Sequence, residues 1–164
     1  MDANSMIIDK IDEVDQIITF RIEDEEYGLE ILKVKEVIRI KEITRLPKAP
    51  SFVKGVINLR GDVIPIIDLR DKFGLSQREY SEMTRVIVAE VDNKSIGMVV
   101  DSVSHVIRIS SDQIDPSPLI SGLASEYVRG VVKLGERLIV LLNIDKILTT
   151  EEKIELEKIN KIKT

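Results

Sequence analysis

At 164 residues, with 43% hydrophobic and 32% charged positions and a net charge of −5, the chain can build one compact domain or two small ones on a shared core. The acidic balance and an aromatic content of only 4% argue against a nucleic-acid binder, which needs cations for phosphates and rings for bases. The longest purely apolar stretches, such as Leu138 to Leu142, fall far short of the ~20 residues of a bilayer span. Cysteine is absent, which removes disulfides, thiolate nucleophiles and the commonest structural zinc sites, and fits a reducing compartment.

Met1 to Gln16 is mostly polar, lacks the pattern of a secretory signal, and is expected to fray. Ile18, Phe20 and Ile22 then alternate with Thr19, Arg21 and Glu23, the period of a half-buried strand. Asp24 to Glu26 reads as a turn, Tyr27 to Leu29 as the return strand, and Val34 to Ile40 as a third strand. Residues 41–52, with Pro47 and Pro50, read as an extended loop. Val53 to Leu59 and Val63 to Leu69 make a hairpin about Arg60-Gly61-Asp62, where glycine permits positive φ. Pro65 cannot donate to a ladder, which points to an edge strand or a bulge there. Asp71 to Leu75 fits a helical turn, and Thr149 with Glu152 forms a capping box for a helix over 150–162.

Val53 to Gly74 recurs 75 positions later as Val128 to Thr149, with Val53, Gly55, Val56, Leu59 and Ile64 matched by identical residues. Upstream the offset is 69, seen in the tetrapeptide VIRI at Val37 and again at Val106, and in Gly28 and Gly97. The difference places a short insertion in the second half, between Asp115 and Tyr127. Two copies of a β unit of about 65 residues are expected to pack face to face, because each alone buries too little surface.

Chemistry is sparse. The one histidine, His105, shares parity with Val103, Ile107 and Ile109 on an apolar face and is expected to be structural or interfacial. Asp68 and Asp101 each follow an apolar stretch, where turn formation explains an aspartate. No phosphate-binding, nucleophile-elbow or zinc-protease motif is present. No catalytic residue, metal ligand or cofactor is expected. Two positions invite an interaction reading. Glu36 falls in phase with Val34, Ile38 and Ile40, so it either reaches solvent at a strand end or lends polar specificity to an apolar contact patch. Arg60 at the hairpin tip is either solvated or available for bidentate contact with a partner carboxylate.

The run Gly55-Val56-Ile57-Asn58-Leu59-Arg60-Gly61, continued by Val63-Ile64-Pro65-Ile66-Ile67-Asp68-Leu69-Arg70, resembles the GVxNLRGxIxPIxDLR core of the CheW-like family, coupling proteins of bacterial chemotaxis. Segments Glu26 to Val34, Gly97 to Val103 and Leu141 to Lys146 agree with it, and the resemblance covers about residues 15–155. It implies two five-stranded SH3-like β-barrels on a joint core, so that, with the helix read from the capping box, the expected fold is all-β with a C-terminal helix. On this chain that gives a flexible 1–16, a domain over 17–149 in two β subdomains (about 17–80 and 84–149, strand exchange left open), and a helix over 150–164.

The resemblance further implies a cytoplasmic adaptor without catalysis, associated with membrane-bound receptor arrays. Its partners would be the regulatory domain of a CheA-type histidine kinase and the cytoplasmic tips of methyl-accepting chemoreceptors, a groove between the barrels accepting a helix face. Neither nucleic acid nor membrane insertion is implied, and the isolated protein is expected to be monomeric. Val34, Glu36, Gly55, Arg60, Val103 and Val106 match family positions associated with these contacts; the valines fit core positions equally well. Gly135-Glu136 stands where the first copy has Arg60-Gly61, so the tip arginine is not repeated. The length leaves no room for the further domains of a CheA kinase or a CheV-type protein, so a free-standing adaptor is expected. A small-molecule-binding β-barrel is the alternative, marked by an enclosed apolar cavity, and a two-carboxylate hydrolase a more distant one.

Overall fold

Period-2 patterns separated by turn residues become strands throughout the computed structural model, which describes residues 16–116 and 127–162. In chain order these are β1 (Gln16–Ile22), β2 (Glu25–Glu30), β3 (Val34–Arg39), β4 (Val53–Leu59), β5 (Asp62–Asp68), β6 (Arg85–Val91), β7 (Lys94–Val100), β8 (Ser102–Arg108), β9 (Ile114–Asp115), β10 (Val128–Leu134) and β11 (Arg137–Leu142). A short helix α1 (Leu69–Lys72) follows β5, and the terminal helix α2 (Thr150–Ile162) closes the described chain. The fold is all-β with a C-terminal helix. The expectation for residues 1–16 falls outside the described residues except at Gln16, which opens β1; most of the proposed insertion lies outside them too.

The strands form one sheet in the order β8-β1-β2-β11-β10-β9 and a second in the order β3-β6-β7-β5-β4. Each holds five long strands, with the two-residue β9 added to the first. Their registers match once the sequence offsets are applied. Ile18 of β1 faces Val106 of β8 in one sheet, and Ile87 of β6 faces Val37 of β3 in the other. Leu141 lies beside Gly28 in the parallel pair of β11 and β2, and Ile66 beside Gly97 in that of β5 and β7. Even the bulges recur, between Val53 and Gly55 in β4 and between Val128 and Gly130 in β10. Of its five long strands, each sheet therefore takes two from one sequence copy and three from the other.

Three apolar clusters follow from this arrangement. The joint core sets Ile18, Phe20 and Leu29 of the first sheet against Ile67, Ile87 and Met98 of the second, closed by Leu148 and Leu156. The opposite face of each sheet has its own smaller cluster, around Ile57, Ile66 and Val86 in one and Ile17, Val132 and Ile139 in the other. β1 is thus buried on both faces rather than half-buried. Thr19 sits fully buried within it, its hydroxyl donating to His105 O at 3.1 Å and accepting from His105 N at 3.2 Å. That exchange satisfies a buried hydroxyl together with backbone groups of β8 where the bulge interrupts the β1–β8 ladder. A row of stacked rings, Phe20, Tyr27, Phe73 and Tyr127, with neighbouring centroids 5.2–5.8 Å apart, crosses the joint core.

Two local readings need correction. Pro65 is neither on an edge nor at a bulge: β5 lies between β4 and β7, and pairing with β7 begins only at Ile66, so the missing donor is not needed. The helical turn after β5 starts earlier, at Leu69, because Asp68 caps it by accepting from Arg70 N at 2.8 Å. The capping box of α2 is present, with Thr149 N donating to Glu152 Oε1 at 2.8 Å and Glu152 N donating to Thr149 Oγ1 at 3.1 Å.

Candidate protein-interaction surface

The hairpin joining β4 and β5 turns through Arg60 at φ 52° and Gly61 at φ 90°, the two positive values that a tight right-twisting hairpin requires. Asn58 Oδ1 braces the turn by accepting from Gly61 N at 2.8 Å. The turn projects Arg60 outward, its side chain 69% exposed. Across from it, the bulge between Val34 and Glu36 turns the Glu36 carboxylate out of β3. The Arg60 guanidinium grips it with both terminal nitrogens, Nη1 donating to Oε1 at 3.2 Å and Nη2 to Oε2. This hydrogen-bonded cation holds the Glu36 carboxyl below the usual carboxylate range, and the carboxylate in turn raises Arg60.

β3 and β4 are opposite edges of the second sheet, so the contact from β3 to the tip of the β4–β5 hairpin shows the sheet curled upon itself. Thr44, in the segment following β3, completes the closure by bridging to Val56 with paired backbone bonds of 2.8 Å. Gly55 makes this approach possible. A Cβ there would lie 2.3 Å from Thr44 O, and its φ of 151° disfavours side chains in any case.

The six residues singled out in sequence fall into distinct places. Glu36 and Arg60 meet. Gly55 is buried beneath the Thr44 crossing. Val34 and Val103 are half-buried against the joint core, at equivalent positions of the two copies. Val106 lies on β8, the free edge strand of the first sheet, and is 50% exposed. His105 also differs from its reading: the extra residue in β8 where it pairs with β1 turns the imidazole to solvent, off the apolar face. Its equivalent in the first copy is Glu36, so one structural place carries a carboxylate on one sheet and an imidazole on the other.

Other exposed features gave little sequence signal. Leu32, 82% exposed, is the middle residue of the 3-10 turn (Ile31–Lys33) that leads into β3, and Tyr80 and Met83 lie in the connection between β5 and β6. Apolar residues outside a periodic segment cannot be assigned an orientation from pattern alone. The electrostatic centre was equally hidden. Buried Arg70 donates from Nε and Nη2 to Asp101 at 3.2 and 2.5 Å, from Nη1 to Glu23, and from Nη1 to Ser76 O at 2.9 Å. Asp101 also accepts from Glu23 N at 2.8 Å, so its turn role holds while it serves as the principal counter-ion. Among the described residues no group of His, Cys, Asp and Glu has the arrangement of a metal site.

Two interlocked sheets with a shared core, and an exposed ion pair at the closure of one, define a duplicated all-β module whose distinctive chemistry lies on its surface. A model of the CheW-like domain matches residues 16–152. Chemotaxis protein CheW of Klebsiella aerogenes is 44% identical over 138 residues, 84% of this chain and 83% of the relative. That of Helicobacter pylori is 38% identical over 137 residues, 84% and 83% of the two chains. The crystal structure of the scaffolding protein TtCheW from Thermoanaerobacter tengcongensis superposes with a TM-score of 0.77 at 34% identity, covering 84% of this chain and 94% of that one. The chain belongs to the CheW-like family.

Proposed function

We propose that this chain is a chemotaxis adaptor that couples methyl-accepting chemoreceptors to a CheA-type histidine kinase through protein–protein contacts, without catalysis. The observation that carries the reading is the bidentate Glu36–Arg60 pair, set at the surface of a chain that matches the CheW-like model over residues 16–152. The relatives named chemotaxis protein CheW and the solved scaffolding protein support the same role. Recognition needs no bond-making. A guanidinium already oriented by one carboxylate loses little side-chain freedom when a partner adds a second acceptor.

In this reading Glu36, Arg60 and Val106 touch partners directly. Val34, Val103 and Gly55 hold the strands that present them. The protein works at the cytoplasmic face of a receptor array, where many modest contacts combine into avidity. No described helix is long and apolar enough to cross a membrane, so in this reading attachment comes through the receptor.

The test is a titration of the wild type and an Arg60→Ala variant against the kinase regulatory domain and a receptor-tip fragment. Micromolar binding to both, weakened for at least one partner by a variant that still folds, supports the adaptor. A folded wild type that binds neither at micromolar concentrations overturns it.

A further inference from the structure

Where β5 ends, the connection over residues 76–84 arches past the junction of β7 and β8 and encloses an open cavity of about 270 Å3. Asp68, Thr84 and Val99 are buried in its lining, whereas Tyr80 and Met83 stand exposed at its lip. The volume is below the ~300–1,000 Å3 typical of small-molecule sites and suits a single side chain.

Asp68 is the unusual member. It is 2% exposed, and Oδ1 caps α1 by accepting from Arg70 N. Its equivalent in the second copy is Asn143, whose Oδ1 accepts from Asp145 N at 3.1 Å in the same way. An amide therefore suffices for the turn, and the negative charge of Asp68 has no part in it. The charge is costly here: burial pushes the Asp68 carboxyl above its ordinary value. Oδ2 accepts no hydrogen bond among the described residues. Its nearest cation, Lys54 Nζ, stands 3.7 Å away and donates instead to Gln77 Oε1 at 2.6 Å.

The cations in the lining are committed elsewhere, Arg70 to Asp101, Glu23 and Ser76, and Arg78 to Glu23 at 3.0 Å and Asp101 at 3.6 Å. Three carboxylates, Asp68, Glu79 and Asp101, and two guanidiniums line the cavity, with Lys54 beside Asp68 from outside the lining. We propose that this cavity is a socket for the guanidinium of a partner protein's arginine, with Asp68 Oδ2 as acceptor and Tyr80 and Met83 flanking the stem. Lys54 meets Oδ2 as an ion pair at 3.7 Å without a hydrogen bond; a guanidinium entering from the cavity supplies that donor, and its planar face suits a tyrosine at the lip. The proposal stands apart from the adaptor reading, because its probe is a capped amino acid.

The test follows backbone amides of Ser81, Thr84, Val99 and Asp101 by NMR during titration with N-acetyl-L-argininamide at constant ionic strength. Saturating shifts are expected, with Kd of ~1–10 mM, about tenfold weaker in Asp68→Asn. Because Asn143 occupies the equivalent turn, Asp68→Asn should fold, which a thermal melt checks. If it does not, Tyr80→Ala, at the lip, takes its place with an expected several-fold loss. Isosteric but neutral N-acetyl-L-citrullinamide should leave the amides unmoved. Equal response to the citrulline analogue, unchanged binding in a folded Asp68→Asn, tighter binding of capped lysine, or no shift up to about 50 mM would each overturn the assignment.

Discussion

Glu36 and Arg60 join the two opposite edges of one sheet, while at the equivalent places of the other sheet His105 and Gly135 face solvent and a turn without forming a pair. The two sheets thus share a fold but differ in surface chemistry at one closure. Because the pair is exposed, its weight in folding is small. Arg60→Ala should leave the melting temperature within about 2 °C of wild type while weakening partner binding, and thermal melts alongside the titration check both.

The same pair sets a pH signature. Arg60 depresses the Glu36 carboxyl in the folded state, so its contribution is present above the unfolded value of about 4.3 and is lost as pH falls through the lower folded value. A carbon-detected NMR titration of the Glu36 carboxyl should give a midpoint below the reference. In Arg60→Ala the midpoint should rise; an unmoved midpoint would mean that the contact is not made in solution.

Arg70 presents the opposite case. Its guanidinium is buried and binds Asp101, Glu23 and a backbone carbonyl, so removing it leaves two partly buried carboxylates with only the more exposed Arg78 as counter-ion. Arg70→Met should destabilise by about 2–4 kcal/mol, the loss for a broken buried pair discounted because Glu23 and Asp101 keep some exposure. Urea unfolding measures it. Arg70→Lys should recover only part, since one ammonium cannot reach all these acceptors.

Gly55→Ala tests whether that position is a contact or a support. Its Cβ would run into the Thr44 carbonyl at 2.3 Å and occupy a disfavoured φ, so a loss of about 1–3 kcal/mol is expected. Faster hydrogen exchange at the Thr44 and Val56 amides should accompany it. Weakened partner binding with both amides still protected would place Gly55 in the contact itself.

Removal of the capping box gives a smaller and more local effect. Thr149→Ala should cost about 1 kcal/mol and fray the first turn of α2, visible as a modest loss of helical circular dichroism.

Much of this was legible in the sequence, for identifiable reasons. The strands of β4 and β5, their repeat in β10 and β11, and the tip position of Arg60 all depend on local patterning and turn chemistry, which a single chain displays directly. Glu36 could be noticed as a carboxylate in phase with apolar neighbours, but its partner lay 24 positions away across a curled sheet. His105 and Thr19 were misjudged because a bulge shifts side-chain parity and because β1 is covered on both faces, and neither fact leaves a local mark. The Asp68 cavity was missed for a related reason: a capping aspartate reads as a turn residue until the surplus of its charge is seen beside Asn143.

The exchange of strands also governs the order in which the protein can assemble. Ile17 meets Ile107 and Tyr27 meets Val140, so β1 and β2 emerge from the ribosome long before the strands that complete their sheet. During that interval the Ile18 and Phe20 face can be covered only by transient contacts or by a chaperone. Closing such distant pairs is slow, so refolding should be limited by late docking of β8 and β11 rather than by formation of the local hairpins.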